Sequence, residues 1–404
     1  MNESTLKRKA WAIMLIVFFA GIALAWAQNK VVPVIDVIQS GFSVSMAQAG
    51  WISSVFCVMG IILAFPAAGL MRKLGIKWCG VAAIGATIAG TALGVFADSY
   101  ALIMASRVIE GFGVGLIAVL APAIITMWFA PEKRGLPMGV WGAWQMVAQS
   151  GTFLLVGGLT GLFNGWQGMW WAGLVLLGAS ILLYVWQVKA PPATYNHADL
   201  EDSSVSMFKV LKYPAVWMIT AVAFVFCVAC FGWVTWIATY WSEQGGIDFE
   251  LANSIVGWLY MAEILIVVGE GFLLDKVKSR KRFGIVFSVL YGVLLLSAFI
   301  VPPSFAWIVV FACIYPFLEG AICTVFWTIC PQTTPDPRLG AAALATMVIG
   351  MNIGMMVGPP LVGGIIEAVG WAPASIVIGI AGGLCAVFFA LTQLYNAKGE
   401  KIKG

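Results

Sequence analysis

Basic residues cut this chain into apolar stretches of one recurring length. Of its 22 Lys and Arg residues, only Lys30 and Arg107 lie inside apolar sequence. The others gather in seven polar segments: Lys7 to Lys9, Arg72/Lys73/Lys77, Lys133/Arg134, Lys189/Lys209/Lys212, Lys276 through Arg282, Arg338, and Lys398/Lys401/Lys403. Each stretch between consecutive segments is long enough to cross a bilayer twice, at about 20 residues per crossing. The reverse turns inside those stretches carry almost no cations: Asp98 in one, Asn164 in another, Glu243, Asp248 and Glu250 in a third. Cations confined to alternate loops are the charge bias of cytoplasmic loops. The pattern predicts twelve transmembrane helices, with both termini in the cytoplasm. It also leaves two cations inside the membrane that need a reason to be there.

Composition points the same way. The chain is 61% hydrophobic and 10% charged, against roughly a quarter charged in soluble domains. So little polar surface does not enclose such a core in water, and lipid is the expected solvent. The net charge of +4 belongs to the loops and gives no argument for nucleic acid. The first apolar run, Trp11 to about Val37, is too long for a signal peptide and lacks a small-residue cleavage site. Cys227 and Cys230 sit in apolar sequence without a histidine or acid nearby. They read as small buried hydrophobes. Neither a metal nor a cofactor is expected.

The expected spans are 11–37, 46–70, 78–97, 100–128, 136–163 and 167–188, then 214–241, 251–274, 283–301, 304–330, 340–367 and 372–395. Residues 1–188 would form one six-helix bundle and 214–404 a second. Residues 189–213 hold Pro191, Pro192, the sole histidine His197 and the acids Asp199, Glu201 and Asp202, and read as a cytoplasmic linker. The halves look like repeats. Arg107-Val-Ile-Glu110-Gly111 is matched by Pro316-Phe-Leu-Glu319-Gly320, Gly157-Gly158 by Gly363-Gly364, and Arg72-Lys73 by Asp275-Lys276. Parallel six-helix repeats mark one transporter architecture, with the substrate site expected between the halves.

Three motifs carry a resemblance across nearly the whole chain. After the second span, Gly69-Leu-Met-Arg72-Lys73-Leu-Gly75-Ile-Lys77 follows a Gly-x-x-x-Asp-Arg/Lys-x-Gly-x-Arg/Lys pattern, with Arg72 where the pattern has Asp. The second half keeps the acid, in Gly271-Phe-Leu-Leu-Asp275-Lys276. The fourth span carries Arg107-x3-Gly111-x3-Gly115; small residues at this spacing let helix backbones approach closely. In these motifs the chain resembles the major facilitator superfamily. The resemblance implies an all-α integral membrane protein of two pseudo-symmetric six-helix bundles, with a gating motif at Lys73, Gly75, Asp275 and Lys276. Pro33-Val-Ile-Asp36 through Ala47-Gln-Ala-Gly50 resembles the cyanate and nitroimidazole transporter branch. Trp128-Phe129 with Glu132-Lys133-Arg134-Gly135 looks more like organic-anion members. The fifth span lacks the Gly-Pro pattern of drug/proton antiporters, while the eleventh has Gly350-x3-Gly354-x3-Gly358-Pro359-Pro360.

An ionisable group at mid-bilayer costs at least about 2.5–3.5 kcal/mol, so it normally faces a cavity or a partner. At about 1.5 Å per residue, Lys30, Arg107 and Glu110 fall at similar depth in the outer half of the first bundle. Glu263 and Glu319 fall nearer mid-span. The resemblance places spans 1, 4, 7 and 10 around a central cavity. Lys30 or Arg107 is expected to hold an anion, and Glu110, Glu319 or Glu263 a proton, since no histidine lies in the spans to do it. The alternative for Arg107 and Glu110 is a structural ion pair three residues apart on one helix face. Glu270, near the basic loop, reads as structural. Trp26, Asn29, Gln145, Trp236, Tyr240, Tyr260 and Asn352 are the candidate polar and aromatic walls of a binding site. For most of the 19 tryptophans interfacial anchoring or packing is the plainer expectation.

The sequence therefore predicts a monomeric secondary transporter of the bacterial cytoplasmic (inner) membrane. It would move a small anion, such as a monocarboxylate or cyanate-like species, together with protons. A drug or metabolite exporter of the same fold is the alternative, and a non-transporting receptor on this scaffold a further one. No phosphate-binding loop, metal cluster or nucleophile–histidine pair points to an enzyme.

Overall fold

Apolar sequence that must satisfy its own backbone in lipid folds as helix, and the computed structural model is helical almost throughout. It describes residues 3–192, 195–196, 207–277, 279–396 and 398–402. His197, Asp199, Glu201 and Asp202 of the expected linker lie outside the described residues. Sixteen α-helices follow one another among the described residues: α1 Glu3–Asn29, α2 Ile35–Phe42, α3 Met46–Ser54, α4 Cys57–Leu63, α5 Pro66–Val95, α6 Tyr100–Trp128, α7 Gly135–Gly142, α8 Trp144–Leu154, α9 Val156–Phe163, α10 Gln167–Gln187, α11 Pro214–Gly245, α12 Phe249–Lys276, α13 Arg280–Ser297, α14 Phe305–Ile329, α15 Gly340–Val369 and α16 Trp371–Leu391. A small antiparallel hairpin, β1 Leu394–Tyr395 with β2 Lys401–Ile402, follows them.

Among the described residues nine helical stretches are long and apolar enough to cross a membrane, or eleven when two bent pairs count as one span each. α13, with three cations in its first turn, corresponds to the ninth expected span. Leu182 and Leu265 are 73% and 77% exposed, as side chains facing acyl chains rather than water would be.

Several spans are less regular than the sequence predicts. The first does not run unbroken to Val37. α1 stops at Asn29, a short 3-10 turn spans Val32–Val34, and α2 resumes the path. Pro33 has no N–H to give the preceding turn, and its ring disfavours helix there. The second expected span is bent by 41° between α3 and α4. The Ser53 and Ser54 hydroxyls both donate back to the Gly50 carbonyl, at 2.8 and 3.0 Å, which loosens the ladder. Pro66 then opens α5. The fifth span is bent by 53° where α8 gives way to α9. Within α5, Gly75 has φ +71°, a left-handed turn that glycine adopts at little cost, and the helix breaks there.

The chain separates into two compact units, Met1–Ile38 with Val55–Glu201, and Gln39–Ser54 with Asp202–Gly404. Residues 39–54, expected with the N-terminal half, therefore belong to the second unit. In the first unit α5 packs along α6 and α10, and α1 packs on α6, α8 and α10. In the second, α11 lies against α15 and α16, α13 against α16, α12 against α14, and α3 against α15. A Cβ at Gly50 would come 2.6 Å from the backbone of Pro359 and Pro360, and the Ser54 hydroxyl donates to the Met356 carbonyl at 2.9 Å.

The motif glycines of α6 are contact points. A Cβ at Gly111 would collide with the Phe56 carbonyl, and one at Gly115 would lie 3.3 Å from the Gly60 Cα. We expect Gly111→Leu to cost about 3 kcal/mol of stability through overpacking. Gly85→Ala, with nothing within 4 Å, should be near neutral. Thermal unfolding in detergent tests both, and equal melting temperatures would contradict the packing.

Candidate functional site

The two cations that the loops do not account for meet in the first unit, at the break that ends α1. Lys30 is the first residue past α1. Arg107 and Glu110 share one face of α6, and Thr91 projects from α5. Lys30, Arg107 and Glu110 are 0%, 0% and 1% exposed.

Glu110 joins them. Its Oε1 accepts from Lys30 Nζ at 2.5 Å and from the Thr91 hydroxyl at 2.7 Å. Its Oε2 accepts from Arg107 Nη1 at 2.5 Å. Lys30 Nζ also donates to Thr91 Oγ1 at 3.3 Å. Lys30 lies 4.5 Å from the Trp170 ring centroid, and Arg107 lies 5.2 Å from that of Phe56; ring faces at such distances attract cations.

Arg107 has a second task. Its guanidinium donates to the Ala27 carbonyl and, at 2.7 Å, to the Gln28 carbonyl. These are carbonyls of α1's last turn, which lack intrahelical partners where a helix stops. A cation there also opposes the negative end of the helix dipole, equivalent to roughly half a charge. Arg107 thus caps α1 in the membrane and ties it to α6. Lys30 and Arg107 thus share the carboxylate of Glu110, and the negative helix end lies beside them.

The first unit's other candidates adjoin this cluster. Gln145 Nε2 donates to Gln28 Oε1 at 3.0 Å, and Asn29 Nδ2 donates to Gln145 Oε1 at 3.3 Å. A chain of amides therefore runs beside the charges. Trp26 is placed differently from the cavity wall expected of it. Its indole N–H donates to the Met169 carbonyl at 2.9 Å, and its ring packs over Gly151 and Gly173.

The second unit gathers acids. Glu263 on α12 and Glu319 on α14 are buried, and Glu319 and Glu270 both lie within electrostatic reach of Glu263. Tyr260 borders the same group. Cys230 Sγ donates to Glu319 Oε1 at 2.8 Å, while Glu263 Oε2 and Glu319 Oε2 meet no hydrogen-bond partner among the described residues. Gly320 leaves room for the Glu270 carboxylate, since a Cβ there would strike it. Among the described residues none of these acids pairs with Lys or Arg. Cys230 does have an acid neighbour, although none stands near it in sequence.

Three further candidates are engaged in packing. Trp236 Nε1 donates to the Pro359 carbonyl at 3.0 Å, Tyr240 to the Val301 carbonyl at 3.1 Å, and Asn352 to Val348 on its own helix at 2.9 Å. Lys73 and Lys276 are exposed. The Asp275 side chain lies outside the described residues.

Sequence reasoning missed Thr91, Trp170 and Gln28, which look ordinary in a membrane helix. It also set Glu270 apart from the other acids. The seven-residue spacing of Glu263 and Glu270, two helical turns on one face, was the available signal for Glu270.

Charge balance orders the expected stabilities. Glu110→Gln leaves two buried cations side by side and should cost about 3–5 kcal/mol. Lys30→Met leaves a neutral Arg107–Glu110 pair and should cost no more than about 2 kcal/mol. Adding Lys30→Met to Glu110→Gln should restore part of the loss. Thermal melts of the three variants decide this, and a Glu110→Gln protein as stable as Lys30→Met would refute it.

Comparison with known proteins agrees with this architecture. The profile of the Major Facilitator Superfamily matches residues 13–348 and, overlapping, 264–403. The hexuronate transporter of Bacillus subtilis (strain 168) is 22% identical over 407 residues, covering 95% of this chain and 93% of that protein. The 2-nitroimidazole transporter of Escherichia coli (strain K12) is 25% identical over 395 residues, covering 92% and 94%. In fold, the chain resembles the crystal structure of a bacterial homolog of the human lysosomal transporter Spinster, inward-facing and occupied. That likeness has a TM-score of 0.74 and 18% identity, and covers 97% of both chains. The superfamily's profile spans nearly the whole chain, and this multi-pass membrane protein belongs to the Major Facilitator Superfamily of transporters.

Proposed function

We propose that the protein moves a small organic anion, such as a monocarboxylate, across a bacterial inner membrane by alternating access, coupled to protons, as a monomer with both termini in the cytoplasm. The observation that carries this is the pair of buried cations, Lys30 and Arg107, that share the carboxylate of Glu110. Of its two cations, Arg107 is fixed by two backbone carbonyls. Lys30 is held by side chains alone and is the one free to exchange partners. A substrate carboxylate would compete with Glu110 for Lys30, with the Asn29–Gln145–Gln28 amides as further donors. The relatives' names fit, since a hexuronate is itself a carboxylate.

Glu263 and Glu319 are the proposed proton carriers. Buried carboxylates within electrostatic reach of one another, with no cation paired to them among the described residues, suit a group that takes up and gives back a proton. Transport would load and release that proton. Lys73, Gly75, Asp275 and Lys276 are proposed as the gating motif. The exporter remains the second reading, because the same acids would suit a cationic cargo.

In proteoliposomes, Lys30→Gln is expected to weaken carboxylate uptake at least about tenfold in apparent affinity, or about 1.4 kcal/mol. Unchanged affinity would remove Lys30 from the site. An imposed proton gradient should accelerate uptake by the parent protein and not by Glu319→Gln. Thermal shifts with carboxylates, inorganic anions and organic cations separate the two readings, since a ligand that binds the folded state raises the melting temperature. Stabilisation by cations alone would favour the exporter.

A further inference from the structure

The stretch just before α11 carries features that the transport site does not use. Met207–Lys212 is a short 3-10 helix, and Pro214 opens α11 two residues later. Val210 is buried, which seats the turn on the second unit. Phe208 is 66% exposed, and Lys209 and Lys212 on either side of Val210 are exposed as well. Trp217, in the first turn of α11, is 48% exposed. Its indole N–H donates to the Leu211 carbonyl at 2.9 Å, which pins the ring beside the 3-10 helix.

The loop before α15 completes the patch. The Pro337–Leu339 turn packs on the same 3-10 helix. Arg338 donates twice to Asp336, at 3.1 and 3.0 Å. That contact holds the Asp336 carboxyl below its ordinary range, with Lys209 also in electrostatic reach. Arg338 is thus largely neutralised, and among the described residues Lys209 and Lys212 give the patch its net positive charge.

A phenylalanine exposed beside lysines is costly in water and well suited to another medium. Where a spanning helix leaves the bilayer, the surroundings change from acyl chains to headgroups. Aromatic rings settle at that level, and lysines there are drawn to anionic lipid. We propose that this patch docks anionic phospholipid: Lys209 and Lys212 hold headgroup phosphates, and Phe208 and Trp217 seat in the acyl border beside them. The end of the linker is thereby fixed to the bilayer. The proposal is independent of the transported substrate.

Photocross-linking tests it. Phe208 is replaced by p-benzoylphenylalanine, and the full-length protein is placed in nanodiscs of phosphatidylcholine with about one third phosphatidylglycerol. After irradiation, intact mass identifies each lipid adduct. Phosphatidylglycerol adducts should exceed that lipid's share of the bilayer by at least about threefold. Lys209→Gln with Lys212→Gln should return them to that share, and Lys398→Gln with Lys401→Gln should not. Adducts that simply follow bilayer composition would overturn the proposal, as would cross-links to protein instead of lipid. Loss of the enrichment on adding inorganic phosphate would assign the lysines to free phosphate, which also overturns it.

Discussion

Glu110 is a carboxylate set between two cations that lipid would otherwise have to bear. Placing Lys30 and Arg107 in an apolar interior is possible because that acid neutralises one charge, and because the end of α1 supplies carbonyls for Arg107. The dependence is mutual. α1 needs a cation where it stops, α6 needs a partner for its acid, and α5 contributes Thr91 between them. The break at Lys30 to Val34, which in isolation would leave polar backbone unsatisfied in hydrocarbon, is made tolerable by the same guanidinium.

The two units carry opposite chemistry. The first concentrates positive charge and amide donors within a few ångströms. The second concentrates carboxylates, with a thiol and a tyrosine beside them and no cation paired to them among the described residues. Under the proposed reading the first unit's surroundings would suit an anion, and the second's a proton. That asymmetry is poorly visible in the repeat itself, because Glu110 and Glu319 occupy matching positions in the two halves. The difference arises from their neighbours: Arg107 in one half, and Pro316 at the equivalent place in the other.

Much of the fold was legible because loop charge and span length are one-dimensional properties. The pairing of Arg107 with Glu110 was also legible, three residues apart on a helix. Lys30 was not readable as its partner, since 80 residues separate it from Glu110 and only packing brings them together. The breaks near Pro33 and Pro66 had their prolines in view, but apolar sequence continues through both, and hydropathy does not register a bend. Trp26 and Trp236 were read as candidate walls of a binding site, lying well inside their spans. Depth does not distinguish a ring facing a cavity from one laid over a glycine, and both rings lie over glycines.

The placement of α3 bears on how this polypeptide is tied together. Residues 39–54 belong to the second unit, while the chain on either side of them belongs to the first. The backbone therefore passes between units three times: near residue 38, near residue 54, and in the linker. A protease acting only on the linker would leave the units covalently joined. A gene divided at the linker would produce a C-terminal fragment without the helix that covers Pro359 and Pro360. The linker is the longest connection in the sequence, yet it is not the seam along which this protein comes apart into two complete pieces.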